Sequence, residues 1–141
     1  MPQESTSPDL VELTRRAFEA ANRRDLDAVI GFFASDAVLE GRVGGDRGRA
    51  AIRSMLEEWF GAYEELEFRL EDVRNVGNGV VFAVVVQEGA LAGSAGYAHF
   101  RQREGWILVW IDDLIASLTT HPEADIDAAF RAAERLAVER G

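Results

Sequence analysis

The sequence contains no cysteine and no lysine. Without cysteine there is no disulfide, no thiolate nucleophile and no cysteine-ligated metal. Without lysine there is no Schiff-base chemistry and no Walker-type phosphate loop. All fifteen basic residues are arginine. Histidine is scarce as well: His99 and His121 are the two in the chain, and no carboxylate stands at ligand spacing near either. Neither a metal nor another cofactor is expected. The longest uncharged apolar runs are "VVFAVVV" and "WILVWI", well short of the ~20 residues that span a bilayer. The opening "MPQESTSPDL" lacks the basic start and apolar core of a secretory signal. Residues 1–9 are expected as a flexible lead-in to one domain over 10–141, and the cytoplasm is the default location. Net charge is −10, and the only clustered cations are Arg15-Arg16 and Arg23-Arg24, each among acids. Partners made of nucleic acid or anionic membrane are therefore not expected.

What is present is a clear change of period. "DLVELTRRAFEAAN" repeats apolar residues at helical spacing, with Asp9 placed to cap it. "RRDLDAVIGFFA" predicts a second helix, capped by Asp25, with Leu26, Val29, Ile30 and Phe33 as its buried stripe. "DAVLEG" predicts a short strand, and "RAAIRSMLEEWFGAY" a third helix presenting Ile52, Met55, Leu56, Trp59 and Tyr63 on one face. From "LEFRLEDVRNV" the period is two, with a shift of register near Asp72, and Asn78-Gly79 is a hairpin signal. "VVFAVVVQEGAL" and "GYAHFRQREGWILVWI" predict two long strands, Asp112-Asp113 a tight turn, and "LIASLTTH" the last strand. Pro122 suits the first position of a closing helix. The expected class is α+β, an antiparallel meander covered by helices. "WILVWI" is apolar on both alternations, so both its faces are buried. One meets the helices, and a second subunit is the expected cover of the other.

"RRAFEAANRRDLDAVIGFFASDAVLEG", "RGRAAIRSMLEEWFGAYEELEFRLEDVRNVGNGVVFAVV" and "WIDDLIASLTT…DIDAAFRAAERLAVERG" together resemble the SnoaL-like, ketosteroid-isomerase-like members of the nuclear transport factor 2-like superfamily. The resemblance covers about residues 10–140. It implies a cone-shaped curved antiparallel sheet covered by N-terminal helices around an apolar pocket, here with an added C-terminal helix, and usually a homodimer. The glycine-rich "GRVGGDRGRAAIRSM" then reads as the family's ordinary turn into the third helix rather than a phosphate cradle.

Family mechanisms do not transfer residue by residue. The isomerase pattern puts Gly41 at the base, Ala17 at the tyrosine, and Trp106 or Gly105 at the acid. The epoxide hydrolase set needs a pair of aspartates on the sheet, whereas Asp112 and Asp113 fall in a turn. The family's alternation puts Val85 and Gln87 inside, with Trp106, Leu108 and Trp110, while Trp59 and Tyr63 approach from the third helix. Gln87, Trp59, Tyr63, Trp106 and Trp110 are thus the expected wall of a pocket for a small hydrophobic, oxygenated molecule. Catalytic candidates are Glu40, His99 and Glu104. The same alternation turns Glu40 outward, groups His99 with Tyr97, Arg101 and Arg103 on a polar face, and puts Gln102 and Glu104 inside. Three readings remain: a binder with no carboxylate or imidazole at its wall, an acid/base enzyme with one there, and a dimerisation domain whose aromatics fill the cone.

Overall fold

The computed structural model describes residues 9–41, 46–95 and 97–141. The expected lead-in, apart from Asp9, and the middle of the glycine-rich loop lie outside them. Helices α1 (Leu10–Asn22) and α2 (Leu26–Gly31) begin as their caps dictate. Asp9 Oδ1 accepts from the Val11 and Glu12 N–H groups at 3.0 and 3.3 Å, and Asp25 Oδ1 from Ala28 at 3.2 Å. Strand β1 (Phe33–Glu40) follows at once, so Phe33 is a strand residue and not the end of the helical stripe. The cause is non-local: the Phe32 carbonyl accepts from Ile115 N–H at 2.7 Å, which draws the chain onto a strand that lies far ahead in sequence.

After β2 (Asp46–Arg47) come α3 (Arg49–Ala62), β3 (Tyr63–Gly77), β4 (Val80–Leu91), β5 (His99–Ile111), β6 (Leu114–Pro122) and α4 (Ile126–Arg140). The six-stranded sheet has the order β2-β1-β6-β5-β4-β3. The β3–β6 meander is antiparallel as expected, but β1 adds parallel to β6. Pro122 ends β6 in an extended conformation, and a short 3-10 turn, Glu123–Asp125, separates it from α4. The closing helix therefore begins later than the proline signal suggested.

Two cores sit on the two faces of the sheet. The first joins α1, α2 and α3 to Val81, Ala83, Val85, Trp106, Leu108 and Trp110. The second joins Val80, Phe82, Val84, Ile107 and Val109 to Ile126, Ala129, Ala133 and Ala137 of α4. The second face of "WILVWI" is thus covered by the chain's own closing helix, not by the second subunit expected there. Small residues let α4 approach closely: a Cβ on Gly105 would lie 3.3–3.5 Å from Phe82, Ile126 and Ala129. Beyond the helix this face is charged. Arg69 and Arg101 reach Glu88, and Arg103 reaches Glu71 and Glu123.

Overpacking the α4 contact has a definite cost. Ala133→Leu, at a fully buried site, should destabilise by about 1–3 kcal/mol in urea denaturation while helix content is retained. The exposed ladder behaves differently. The Arg103 hydrogen bond to Glu71 holds that carboxyl below its ordinary 4.5, with Arg101 and Arg69 adding to the effect. A lowered folded value means stabilisation that is full above 4.5 and lost as pH falls through the folded value. Glu71→Gln should lower the urea midpoint slightly at pH 7. The gap should close in acid and shrink with added salt.

Candidate functional site

A cavity of about 440 Å³ opens between the first face of the sheet and α3. Met55 and Trp59, four apart on α3, share one helix face, and Tyr63 stands where α3 passes into β3. The opposite wall comes from β4 and β5. Their register is unbroken from Val80↔Val109 to Ala90↔His99, so Gln87, Phe100, Gln102, Glu104 and Trp106 all point to one side. Glu104-Gly105 is not a bulge. Leu118 and Thr120 of β6 and Leu39 of β1 close the cavity.

The polar centre of that wall is Glu104. Its Oε1 accepts from the Gln87 amide at 2.7 Å and from the Trp106 indole N–H at 2.9 Å. Gln87 is 3% exposed and Glu104 4%. A buried carboxyl group is costly unless hydrogen-bonded, and these donors are held by sheet register and by aromatic packing. Trp106 packs against Phe18 and Phe68 with ring centroids 5.2 and 6.2 Å away, and Phe68 meets Trp59 edge-on at 5.4 Å. Trp106 and Trp59 are therefore core and cavity wall at once.

Each candidate has a definite place. Gln87, Trp59, Tyr63, Trp106 and Glu104 line the cavity. Glu40 is exposed at the cavity's edge. His99 is exposed on the opposite face, where its pairing with Ala90 puts it. Tyr97, expected beside it on the strand, lies in the preceding turn and is 95% exposed. Trp110 is not a wall residue. It is buried against Phe32 edge-on, at 6.5 Å, because β5 runs past the cavity to the end of α2. Alternation alone could not say where along β5 the cavity stops.

Gly41 explains why no base stands at its position. Its φ is +146°, and a Cβ there would lie 1.9 Å from Thr120 Oγ1 and 3.0 Å from the Thr120 carbonyl. A side chain at position 41 would collide with β6, so that position is closed to a carboxylate. Sequence reasoning missed Phe100, which continues the same alternation, and missed Asn22 altogether. The Asn22 side chain donates to the Phe68 carbonyl at 2.8 Å and accepts from the Phe68 N–H at 2.7 Å. This paired amide clamps α1 to β3 and seats Phe68 between the two tryptophans. Its only sequence signal is a polar residue at a helix end.

Among the described residues no group of three or more His, Cys, Asp or Glu could hold a metal, and no helix is long and apolar enough to cross a membrane. Asn22→Ala strands both backbone groups of Phe68 and should cost about 1–3 kcal/mol in denaturant unfolding. Asn22→Asp, which keeps the acceptor, should recover part of that loss.

The family described as the SnoaL-like domain matches residues 14–118. No curated protein matches the chain. Among solved structures, a Catenulispora acidiphila protein with a ketosteroid isomerase-like fold, in complex with trimethylamine, is 17% identical with a TM-score of 0.71, covering 78% of this chain and 84% of its own. A Mycobacterium tuberculosis protein in complex with estradiol-17β-hemisuccinate is 14% identical with a TM-score of 0.70, over 82% and 95% of the two chains. The epoxide hydrolase/cyclase-like enzyme SalBIII, of pyran ring formation in salinomycin, is 17% identical with a TM-score of 0.70, over 79% and 88%. At these identities the likeness shows the fold.

Proposed function

The chain belongs to the SnoaL-like domain family, and on that premise we propose that it is an acid/base enzyme acting on a small, mainly apolar molecule bearing oxygen. One observation carries this reading: a buried carboxyl group, Glu104, stands in the wall of an otherwise largely apolar cavity. A pure binder was expected to have no such group there, and a filled cone no cavity. The volume is in the usual range for small-molecule sites, roughly 300–1,000 Å³. The structural neighbours named with estradiol-17β-hemisuccinate and with salinomycin chemistry involve molecules of this general kind.

Oε1 of Glu104 receives both N–H groups, and the carboxyl group is the one that takes a proton from the substrate or returns it. Gln87 and Trp106 fix the plane of the carboxyl group. Trp59, Tyr63 and Phe100 hold the apolar skeleton and exclude water. Glu40, at the edge and exposed, has no part in the transfer, and neither has His99 on the far face. The proposed setting is the cytoplasm, and the proposed assembly a homodimer. Its contact would lie elsewhere than the strip that α4 covers.

Native mass spectrometry of the untagged protein, with denaturing extraction, identifies any bound molecule and reads the copy number. Bound compounds are then incubated in deuterium oxide with wild type and with Glu104→Gln. Glutamine preserves an acceptor at the Oε1 position but cannot exchange the proton. Conversion or deuterium uptake should fall about 10²–10⁴-fold in the variant with binding retained. Equal rates in both proteins, or no chemistry on any bound compound, would sink the enzyme reading.

A further inference from the structure

We propose that the substrate carries a narrow, unbranched alkyl arm, received by a second, apolar chamber that adjoins the cavity. This rests on the reading above that the cavity is the ligand site, and adds the shape of the molecule it selects.

The first observation is the chamber itself. It has a volume of about 70 Å³ and lies in the first core, between the sheet and helices α1, α2 and α3. The described residues that line it are alanine, aliphatic, methionine or aromatic, with no charged residue, amide or hydroxyl among them. Leu39, Met55, Trp59, Trp106 and Leu118 border both this chamber and the larger cavity. The partition between the two spaces is therefore made of side chains.

The second observation is that this partition is uneven in stiffness. Trp106 packs against Phe18 and Phe68, and Trp59 meets Phe68 edge-on. Leu39 and Leu118 are buried on strands. Met55 is partly buried on α3, and its unbranched side chain, with three rotatable bonds, can swing aside. The arm enters past Met55.

Size and polarity decide what fits. An apolar cavity of roughly 150 Å³ takes one benzene ring. A chamber of about half that volume has room for about three chain carbons and not for a ring. A polar group there would lose its water among apolar side chains, so the substrate's oxygen stays in the larger cavity with Gln87, Glu104 and Thr120. Voids in a core cost stability, and each methylene that fills one recovers contact, worth about fourfold in affinity.

Straight-chain 2-alkanones from 2-butanone to 2-nonanone, titrated by calorimetry, test this, with cyclohexylacetone as the ketone of equal carbon count that ends in a ring. Wild type should bind 2-nonanone at least about tenfold more tightly than cyclohexylacetone. Ala17 and Ala21, four apart on α1, line the chamber but not the larger cavity. Ala21→Leu puts a side chain into the chamber, so 2-nonanone should lose about 10- to 60-fold in affinity and the preference should vanish. The affinity of 2-butanone, too short to reach the chamber, should hold. Ala17→Leu repeats the test if the first variant folds poorly. Equal affinities of wild type for the two nine-carbon ketones overturn the proposal, as does a preference unchanged in the folded variants. Glu104-dependent deuterium exchange beside the ketone carbonyl, with equal affinities, would leave the enzyme reading standing and this one fallen. A chain preference abolished by Ala21→Leu, without exchange, would do the opposite. Failure of every ketone to bind removes the cavity as a ligand site, and this proposal with it.

Discussion

The unbroken antiparallel register of β4 and β5, from Val80↔Val109 to Ala90↔His99, sets the contents of both faces of the sheet at once. Along it, odd residues of β4 and even residues of β5 point to the cavity side, and the others to α4 or to the outer ladder. A slip of β5 by one residue would turn its side chains over, and Glu104 would then face the α4 side of the sheet. The Asn78-Gly79 turn, with Asn78 at φ +54° and Gly79 at +85°, fixes one neighbouring register. The contact of Gly105 with Ile126 and Ala129 holds β5 against α4, since a residue with a side chain there would push the helix away. The site is therefore positioned from behind.

Within that frame the buried carboxyl group is the least affordable element, and its surroundings reflect this. Two donors converge on one oxygen. One is a side chain of the neighbouring strand and the other a side chain two residues along the same strand, so the sheet register places both beside the carboxyl group. Trp106 cannot turn away from Glu104 without losing its contacts with Phe18 and Phe68. Phe68 in turn is held by the Asn22 clamp. Stability and site geometry run through the same residues, because the aromatics that fill the first core also wall the cavity.

How much of this was legible in the sequence follows from the range of the interactions. Helix caps at Asp9 and Asp25, the period-two strands and the Asn78-Gly79 hairpin depend on neighbours, and they read directly. The inward placing of Gln87, Gln102 and Glu104 followed from alternation, which holds as long as the register is regular. The parallel pairing of β1 with β6 was not legible. It joins segments some eighty residues apart, and it turned Phe33 from a helix residue into a strand residue. Nor could alternation place Trp110, which shares a face with Trp106 but lies beyond the end of the cavity. Asn22 was invisible because a single polar residue at a helix end looks the same whether it faces water or a strand. The cover for the doubly apolar β5 was misread for a related reason. Periodicity shows that a face is buried, not which element buries it.

That last point bears on how the site is built. The family match ends at residue 118, and α4 (Ile126–Arg140) lies beyond it. By covering Val80, Phe82, Val84, Ile107 and Val109, the closing helix supplies within one chain the burial that these strand faces need. The strands that carry Glu104 and Gln87 are thus held by α4 on one side and by α1 and α3 on the other. The helix covers only the apolar part of that face and leaves Arg69, Arg101 and Arg103 to the carboxylates of the outer ladder. Those cations lie on the opposite side of the sheet from Glu104. Swapping the two faces would bury an ion-pair ladder under the helices at a high desolvation cost and leave the cavity without its carboxyl group. The polarity of β5 across the sheet is therefore what allows one strand to serve a charged surface and a cavity walled by Glu104 together.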